Sequence, residues 1–209
     1  MLLTQDLRHQ YDSQVKFDFP DIICQARETL LVLGQSGVGK STLLHILAGI
    51  LPPTSGQVVI DNTSIYDQQP RRLDSFRGSH IGLVFQKPHF VQAVSAKENL
   101  RLAQRFARVR VDEQKINHLL TSLNISHRAS AKTFSMSQGE QQRLSIARAL
   151  INDPKLILAD EPTSALDDKN CEEVISLLTA QAEAAGAALI IVTHDNRLKD
   201  LFSHQVTLN

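Results

Sequence analysis

The sequence predicts an α/β protein: a mostly parallel sheet flanked by helices, an antiparallel piece near the N-terminus and a helical insertion in the middle. Three observations carry this expectation. Apolar runs of strand length recur along the chain, helical patterns with their own start and stop signals separate them, and each run ends in a glycine or a polar residue. All but one of the runs are continuous rather than alternating, which suits parallel strands buried on both faces. In open α/β sheets ligands gather at the carboxyl ends of the strands, so chemistry is expected where the runs stop.

In chain order, Thr29-Leu30-Leu31-Val32-Leu33 is the first run and ends at Gly34. Residues 40–48 read as a helix closed by Gly49, a residue suited to a helix C-terminus. The turn Pro52-Pro53-Thr54-Ser55-Gly56 leads into Gln57-Val58-Val59-Ile60, a strand suited to antiparallel pairing. Ile81-Gly82-Leu83-Val84-Phe85 is the next run and ends at Gln86. Ser95-Ala96-Lys97-Glu98 reads as a capping box opening a helix towards Arg108. Residues 112–123 carry Ile116, Leu119, Leu120 and Leu123 on one helical stripe. A helix over 139–152 stops before Pro154, because a residue preceding proline leaves the helical region. Leu156-Ile157-Leu158-Ala159 ends at Asp160, residues 168–185 form a helix ending at Gly186, and Leu189-Ile190-Ile191-Val192 ends at Thr193-His194.

Composition narrows the function classes. The chain has 209 residues, with 22 Lys+Arg balancing 22 Asp+Glu, and 42% of it is apolar. That is ordinary globular composition. A zero net charge argues against a protein that grips nucleic acid by bulk electrostatics. Cys24 and Cys171, far apart, form neither a disulfide framework nor a metal-ligand spacing, and a reducing compartment is the default. No run is long enough to span a membrane. The N-terminus lacks the apolar core of a signal peptide, so a role at a membrane would need a partner to hold the chain there.

Gly34-Gln35-Ser36-Gly37-Val38-Gly39-Lys40-Ser41 fits G-x-x-x-x-G-K-S/T between a strand and a helix, the context this motif requires. Its glycines let backbone N–H groups face phosphate oxygens, and the helix mouth adds partial positive charge. Lys40 is expected to reach the β- and γ-phosphates and the Ser41 hydroxyl to ligate Mg2+. The strand ending in Asp160-Glu161 presents two carboxylates that are costly unless a cation or a reacting water uses them. Asp160 is expected to hold Mg2+ and Glu161 to polarise the water that attacks the γ-phosphate.

The most specific stretch is Met136-Ser137-Gln138-Gly139-Glu140-Gln141-Gln142-Arg143-Leu144-Ser145-Ile146-Ala147-Arg148-Ala149-Leu150. It resembles the signature segment of the ABC ATPases, departing at Gln138, where that family usually has a glycine. Ser137-x-x-Glu140 also fits a capping box, and the two readings are compatible, since a cap places the Ser137 hydroxyl and the Gly139 N–H at a helix mouth. The resemblance runs in the family's order from Tyr11 to His194. It implies a P-loop NTPase (RecA-like) core that binds ATP with Mg2+ through residues 34–41 and Thr42. It implies one cassette over 1–209, with core and β subdomain over 1–93 and 153–209 and a helical subdomain over about 94–152. Gln86 looks like the glutamine that contacts Mg2+ and the attacking water, and His194 like the switch histidine on the γ-phosphate. Ser164-Ala165-Leu166-Asp167 matches the D-loop, and Tyr11 the aromatic that stacks on adenine.

The resemblance further implies a head-to-tail dimer in which Ser137, Gly139 and Glu140 of one copy close on the ATP held by Lys40 of the other. An integral membrane subunit would dock between Gln86 and Asn99, near Phe90 and Val91, and hold the chain at the cytoplasmic face of the inner membrane. The stretches Ser79 to Phe90 and Ala159 to Asp167 look like the lipoprotein-release, macrolide-export and cell-division branch; a short importer ATPase is also compatible. Three classes of function stand: a transporter motor (with a mechanical, cell-division role as its relative), a non-transport ABC machine on DNA or ribosomes, and a small P-loop kinase or switch. The last would have no use for the Ser137 segment or His194. Repair members of the second class carry long coiled-coil insertions and translation members carry two cassettes, and this sequence shows neither.

Overall fold

The computed structural model describes residues 1–12, 15–164 and 167–208, with Lys169 described by its backbone only. Its strands in chain order are β1 (Leu2–Gln10), β2 (Lys16–Asp18), β3 (Ile23–Cys24), β4 (Thr29–Leu33), β5 (Ser55–Ile60), β6 (Thr63–Ser64), β7 (Ile81–Val84), β8 (Leu156–Asp160), β9 (Ala188–Thr193) and β10 (Gln205–Thr207). The helices are α1 (Lys40–Leu47), α2 (Pro70–His80), α3 (Ala96–Phe106), α4 (Glu113–Ser122), α5 (Gln138–Leu150) and α6 (Asp168–Ala184).

One sheet is parallel throughout, in the order β10-β4-β9-β8-β7. The other is antiparallel and built around β1, which pairs with β2, β3 and β5. The parallel sheet explains the continuous apolar runs. Along β9, Leu189 and Ile191 enter one core while Ala188, Ile190 and Val192 enter another, and β4 divides its leucines the same way. Side chains alternate across a strand, so a strand with a core on each face needs apolar residues everywhere. Burying each such Leu or Ile contributes about 1.5–3 kcal/mol.

The two cores have different owners. One lies between the sheet and the helices α3 to α6, and takes Leu100 from α3, Ile116, Leu119 and Leu120 from α4, and Leu144 and Ile146 from α5. The other holds α1, through Leu43, Leu44, Ile46 and Leu47, together with Leu2 and Leu7 of β1 and Val58 and Ile60 of β5. The helical insertion α3 to α5 falls between β7 and β8, as expected.

The helix ends follow local chemistry. The Ser137 hydroxyl accepts the Glu140 N–H at 3.3 Å while the Glu140 carboxylate accepts the Ser137 N–H at 2.8 Å, a complete capping box. At α3 the Ser95 hydroxyl accepts the Glu98 N–H, but the Glu98 carboxylate is engaged by Arg101. The expected box is therefore realised through its serine half. Strands β4, β8 and β9 fall where the apolar runs placed them, and the helices anticipated from pattern agree to within two residues at each end.

Elements beyond those anticipated have clear causes. Strand β1 buries Leu2 and Thr4, then Leu7 and His9, so its alternation slips by one residue midway. The slip is a bulge: pairing with β5 shifts register between Gln5 and Arg8, and Asp6 sits at φ 49°. Gly56 accommodates it, since a Cβ there would lie 2.4 Å from the Asp6 carbonyl oxygen. Helix α2 starts with Pro70 in its first turn and has no fully buried residue, so it carries no strong apolar stripe.

Candidate functional site

Strand β4 delivers the chain to the loop 34–39, and Lys40 opens α1. Gly39 caps the helix at φ 95°, a left-handed conformation open to glycine, and its missing Cβ matters twice over. A Cβ there would sit 2.6 Å from the ring of Phe17, which lies against the loop. The Lys40 side chain is 8% exposed, and its ammonium donates to the Gly34 and Gln35 carbonyls at 2.8 and 2.9 Å. Its Nζ stands 3.7 Å from Glu161 Oε1.

Strand β8 ends at Asp160, and Glu161 follows at φ 46°, held there by its N–H bond to the Val192 carbonyl at 2.9 Å. A left-handed backbone at a non-glycine residue costs about 1–2 kcal/mol, and here it turns the carboxylate into the cleft rather than along the strand. Glu161 Oε2 accepts the Thr193 hydroxyl at 2.8 Å and Oε1 lies 2.7 Å from His194 Nδ1. For that contact to be a hydrogen bond to a carboxylate, Nδ1 carries the proton and Nε2 is left for another partner. Asp160 and Ser41 meet loosely, with 3.5 Å between their oxygens. Gln86, beyond β7, donates to the Ser164 hydroxyl at 3.1 Å.

Together Phe17, Ser36, Gly37, Gly39, Lys40, Ser41, Thr42, Gln86, Asp160, Glu161 and His194 line a cleft of about 530 Å³. Sequence reasoning named all of these but Phe17. Aromatics at alternate positions, Phe17 within the short β2 and Phe19 just past it, were the available signal. Thr193, which orients Glu161, was also unmarked; its place at a strand end beside His194 was the hint. Gly34 and Gln35 contribute carbonyls to Lys40, while Val38 packs into the core behind the loop. Tyr11 stands at the mouth: its hydroxyl lies 3.2 Å from the Thr42 hydroxyl oxygen and its ring 6.3 Å from Phe17, edge-on.

Ser137, which caps α5, and Gly139 and Glu140 in its first turn lie outside this lining. Ser137 and Gly139 are exposed, and the space where a Gly139 side chain would stand is open. Gln138 shares a small crevice with Gln86, Glu161 and Ser164. Of the D-loop match, Ala165 and Leu166 lie outside the described residues; Asp167 caps α6 through the Asn170 N–H.

Burial, and secondly the Glu161 charge, push the Asp160 carboxyl above its usual range. Its ionised form is therefore disfavoured in the folded chain. By linkage, this group makes the nucleotide-free protein less stable as pH rises from the ordinary carboxylate value through the raised one. Asp160→Asn is accordingly expected to raise the Tm at neutral pH, yet to abolish any extra stabilisation that Mg2+ adds to that of ATP. Calorimetry with and without the cation checks both signs, and a lower Tm for the ligand-free variant would refute the electrostatic account.

A phosphate loop opening a helix, with a paired acid and a carboxylate–histidine contact at neighbouring strand ends, defines a nucleoside-triphosphate-hydrolysing protein. The family model described as ABC transporter matches residues 20–164. The lipoprotein-releasing system ATP-binding protein LolD of Syntrophotalea carbinolica is 41% identical over 180 residues, covering 85% of this chain and 79% of that protein. LolD of Shewanella frigidimarina is 35% identical over 207 residues, covering 96% and 86%. Among solved structures, the dimeric ATP-binding cassette MJ0796 in a post-hydrolysis state with ADP and Pi superposes with a TM-score of 0.87 at 31% identity, covering 100% of this chain and 94% of that one. The chain belongs to the ABC transporter family. It is an ATP-binding subunit of that family, and an ATPase.

Proposed function

We propose that the chain is the motor of a lipoprotein-release type transporter and works as a head-to-tail dimer that clamps ATP between two copies. The observation that carries this reading is an incomplete site. The cleft is lined by the Lys40 ammonium, the Asp160 and Glu161 carboxylates and His194, while the helix mouth at Ser137 and Gly139 is exposed and lies outside it. A second copy brings that mouth to the first copy's nucleotide, where its N–H groups and the Ser137 hydroxyl donate to the γ-phosphate. The dimeric state of the similar MJ0796 cassette supports a two-copy assembly, and the LolD relatives support the lipoprotein-release reading.

Each side chain then has a task. The loop N–H groups and Lys40 bind the β- and γ-phosphates. Glu161 takes a proton from water as its oxygen attacks the γ-phosphorus and the bond to the β-phosphate oxygen breaks, releasing ADP and phosphate. His194 holds Glu161 and offers its second ring nitrogen to the γ-phosphate. Tyr11 and Phe17 supply an aromatic mouth for adenine. Mg2+ would be held by Ser41, Asp160 and Gln86: the Asp160 carboxyl, disfavoured as an anion by burial and by the neighbouring Glu161 charge, is a donor that a divalent cation relieves. When bound, the ion neutralises charge on the β- and γ-oxygens.

A membrane subunit's cytoplasmic segment would seat in a groove of about 400 Å³ between α2, β7, α3 and α5, lined by Arg77, Leu83, Phe85 and Phe106 among others. Phe106 is 76% exposed at its edge. Of the residues expected to meet that partner, Phe90 packs against the core beneath the Arg148 guanidinium, and Val91 is half-exposed, with its backbone pinned by Asn99. Among the described residues no helix is long and apolar enough to cross a membrane, and peripheral attachment at the cytoplasmic face of the inner membrane follows from this docking. Phe106→Glu is expected to keep the wild-type Tm and to lose co-purification with the membrane subunits. Undiminished co-purification would remove the groove from the partner interface.

A further inference from the structure

The helix mouth of α5 has an electrostatic problem that the capping box creates. Glu140 stands in the first turn, so a carboxylate lies beside the donors meant for a phosphate. Hydrogen bonding from the Ser137 N–H, with smaller help from His127 and Arg128, holds its pKa below the usual carboxylate value, so it stays charged at neutral pH. An unbalanced carboxylate there would repel a γ-phosphate arriving from a second copy.

The turn Ser126–Arg128 lies just before this segment in sequence and against it in space. His127 Nε2 is 3.2 Å from Glu140 Oε1, and Arg128 Nε is 3.3 Å from Glu140 Oε2. The Arg128 Nε is buried without an aligned hydrogen-bond acceptor, so its contact with Glu140 is one of charge rather than of a directed bond. The second arm of the guanidinium donates to the Ser135 carbonyl, two residues before the cap. His127 is largely exposed and Arg128 is 28% exposed, so the arginine is the better-shielded and permanently charged member of the pair.

We propose that Arg128 is a positioning residue for ATP-driven dimerisation: it neutralises Glu140 and so keeps the Ser137–Gly139 mouth attractive to the other copy's triphosphate. This rests on the two-copy clamp proposed above. Glutamine serves in a capping box as glutamate does, so Glu140→Gln removes the charge and keeps the cap.

The test uses the full chain in a Glu161→Gln background, in which dimers are expected to persist with ATP. The dimerisation constant is measured by sedimentation for the parent, Arg128→Ala, Glu140→Gln and the double variant. Affinity of the monomer for a fluorescent ATP analogue is measured alongside. Arg128→Ala is expected to weaken dimerisation about tenfold, a plausible size for one uncompensated, partly screened charge, with monomer affinity unchanged. Adding Glu140→Gln is expected to restore it to within about twofold. A merely structural arginine predicts no such rescue. A double variant as weak as Arg128→Ala, or an Arg128→Ala that dimerises normally, overturns the proposal while leaving the clamp standing. A parent that fails to dimerise with ATP overturns the clamp, and this proposal with it.

Discussion

Glu161→Gln is expected to bind ATP normally and to lose turnover by about 10²–10⁴-fold, the range that a positioned general base supplies. The amide has nearly the shape of the carboxylate: its oxygen can still accept the Thr193 hydroxyl bond and its NH2 can donate to His194 Nδ1 in the other tautomer, so the cleft keeps its form. What disappears is the group that takes the proton from water. With hydrolysis stalled, the ATP-bound dimer accumulates and elutes from gel filtration at twice the mass of the chain. Wild-type turnover in this variant would remove Glu161 from the base role. Stalled turnover without a dimer would leave the base intact and sink the two-copy clamp.

Lys40→Ala is expected to weaken ATP binding by about 10²-fold or more. The estimate follows from losing charge-assisted bonds to phosphate at roughly 1.5–3 kcal/mol each, with 1.4 kcal/mol worth a factor of ten. The Lys40 side chain is almost fully buried, and its ammonium donates to the Gly34 and Gln35 carbonyls. Its removal also takes away the cation nearest Glu161, leaving that carboxylate to Thr193 and His194. Titration with a fluorescent ATP analogue reads the loss directly, and an affinity within about twofold of wild type would count against the phosphate cradle.

Much of this architecture was legible because its causes are local. A strand with apolar residues on both faces shows as an unbroken run, and β4, β8 and β9 are such strands. The residues of the loop 34–41 and the pair Asp160-Glu161 were legible because their chemistry constrains spacing within one segment. What stayed hidden depends on distant partners. Strand β1 was obscured because the bulge at Asp6 breaks its alternation, and only pairing with β5 makes sense of it. Helix α2 leans on its neighbours through partly buried Leu73 and Phe76 rather than through a buried stripe. Phe17 joins the cleft by lying on Gly39, a contact between residues on separate elements that no spacing rule encodes. The register of Ser137 against Glu140 was readable from four consecutive positions; the approach of Arg128 from the preceding turn was not.

The division of the interior into two compartments has a mechanical corollary. The parallel sheet acts as a bulkhead, with α1, which carries Lys40, rooted on one side and most of the segment bearing Ser137 rooted on the other. A tilt of the α3 to α5 layer would shear packing in its own compartment and leave the contacts of α1 beneath the nucleotide cradle in place. Force from a membrane partner could thus reach the clamp without loosening the grip on ATP.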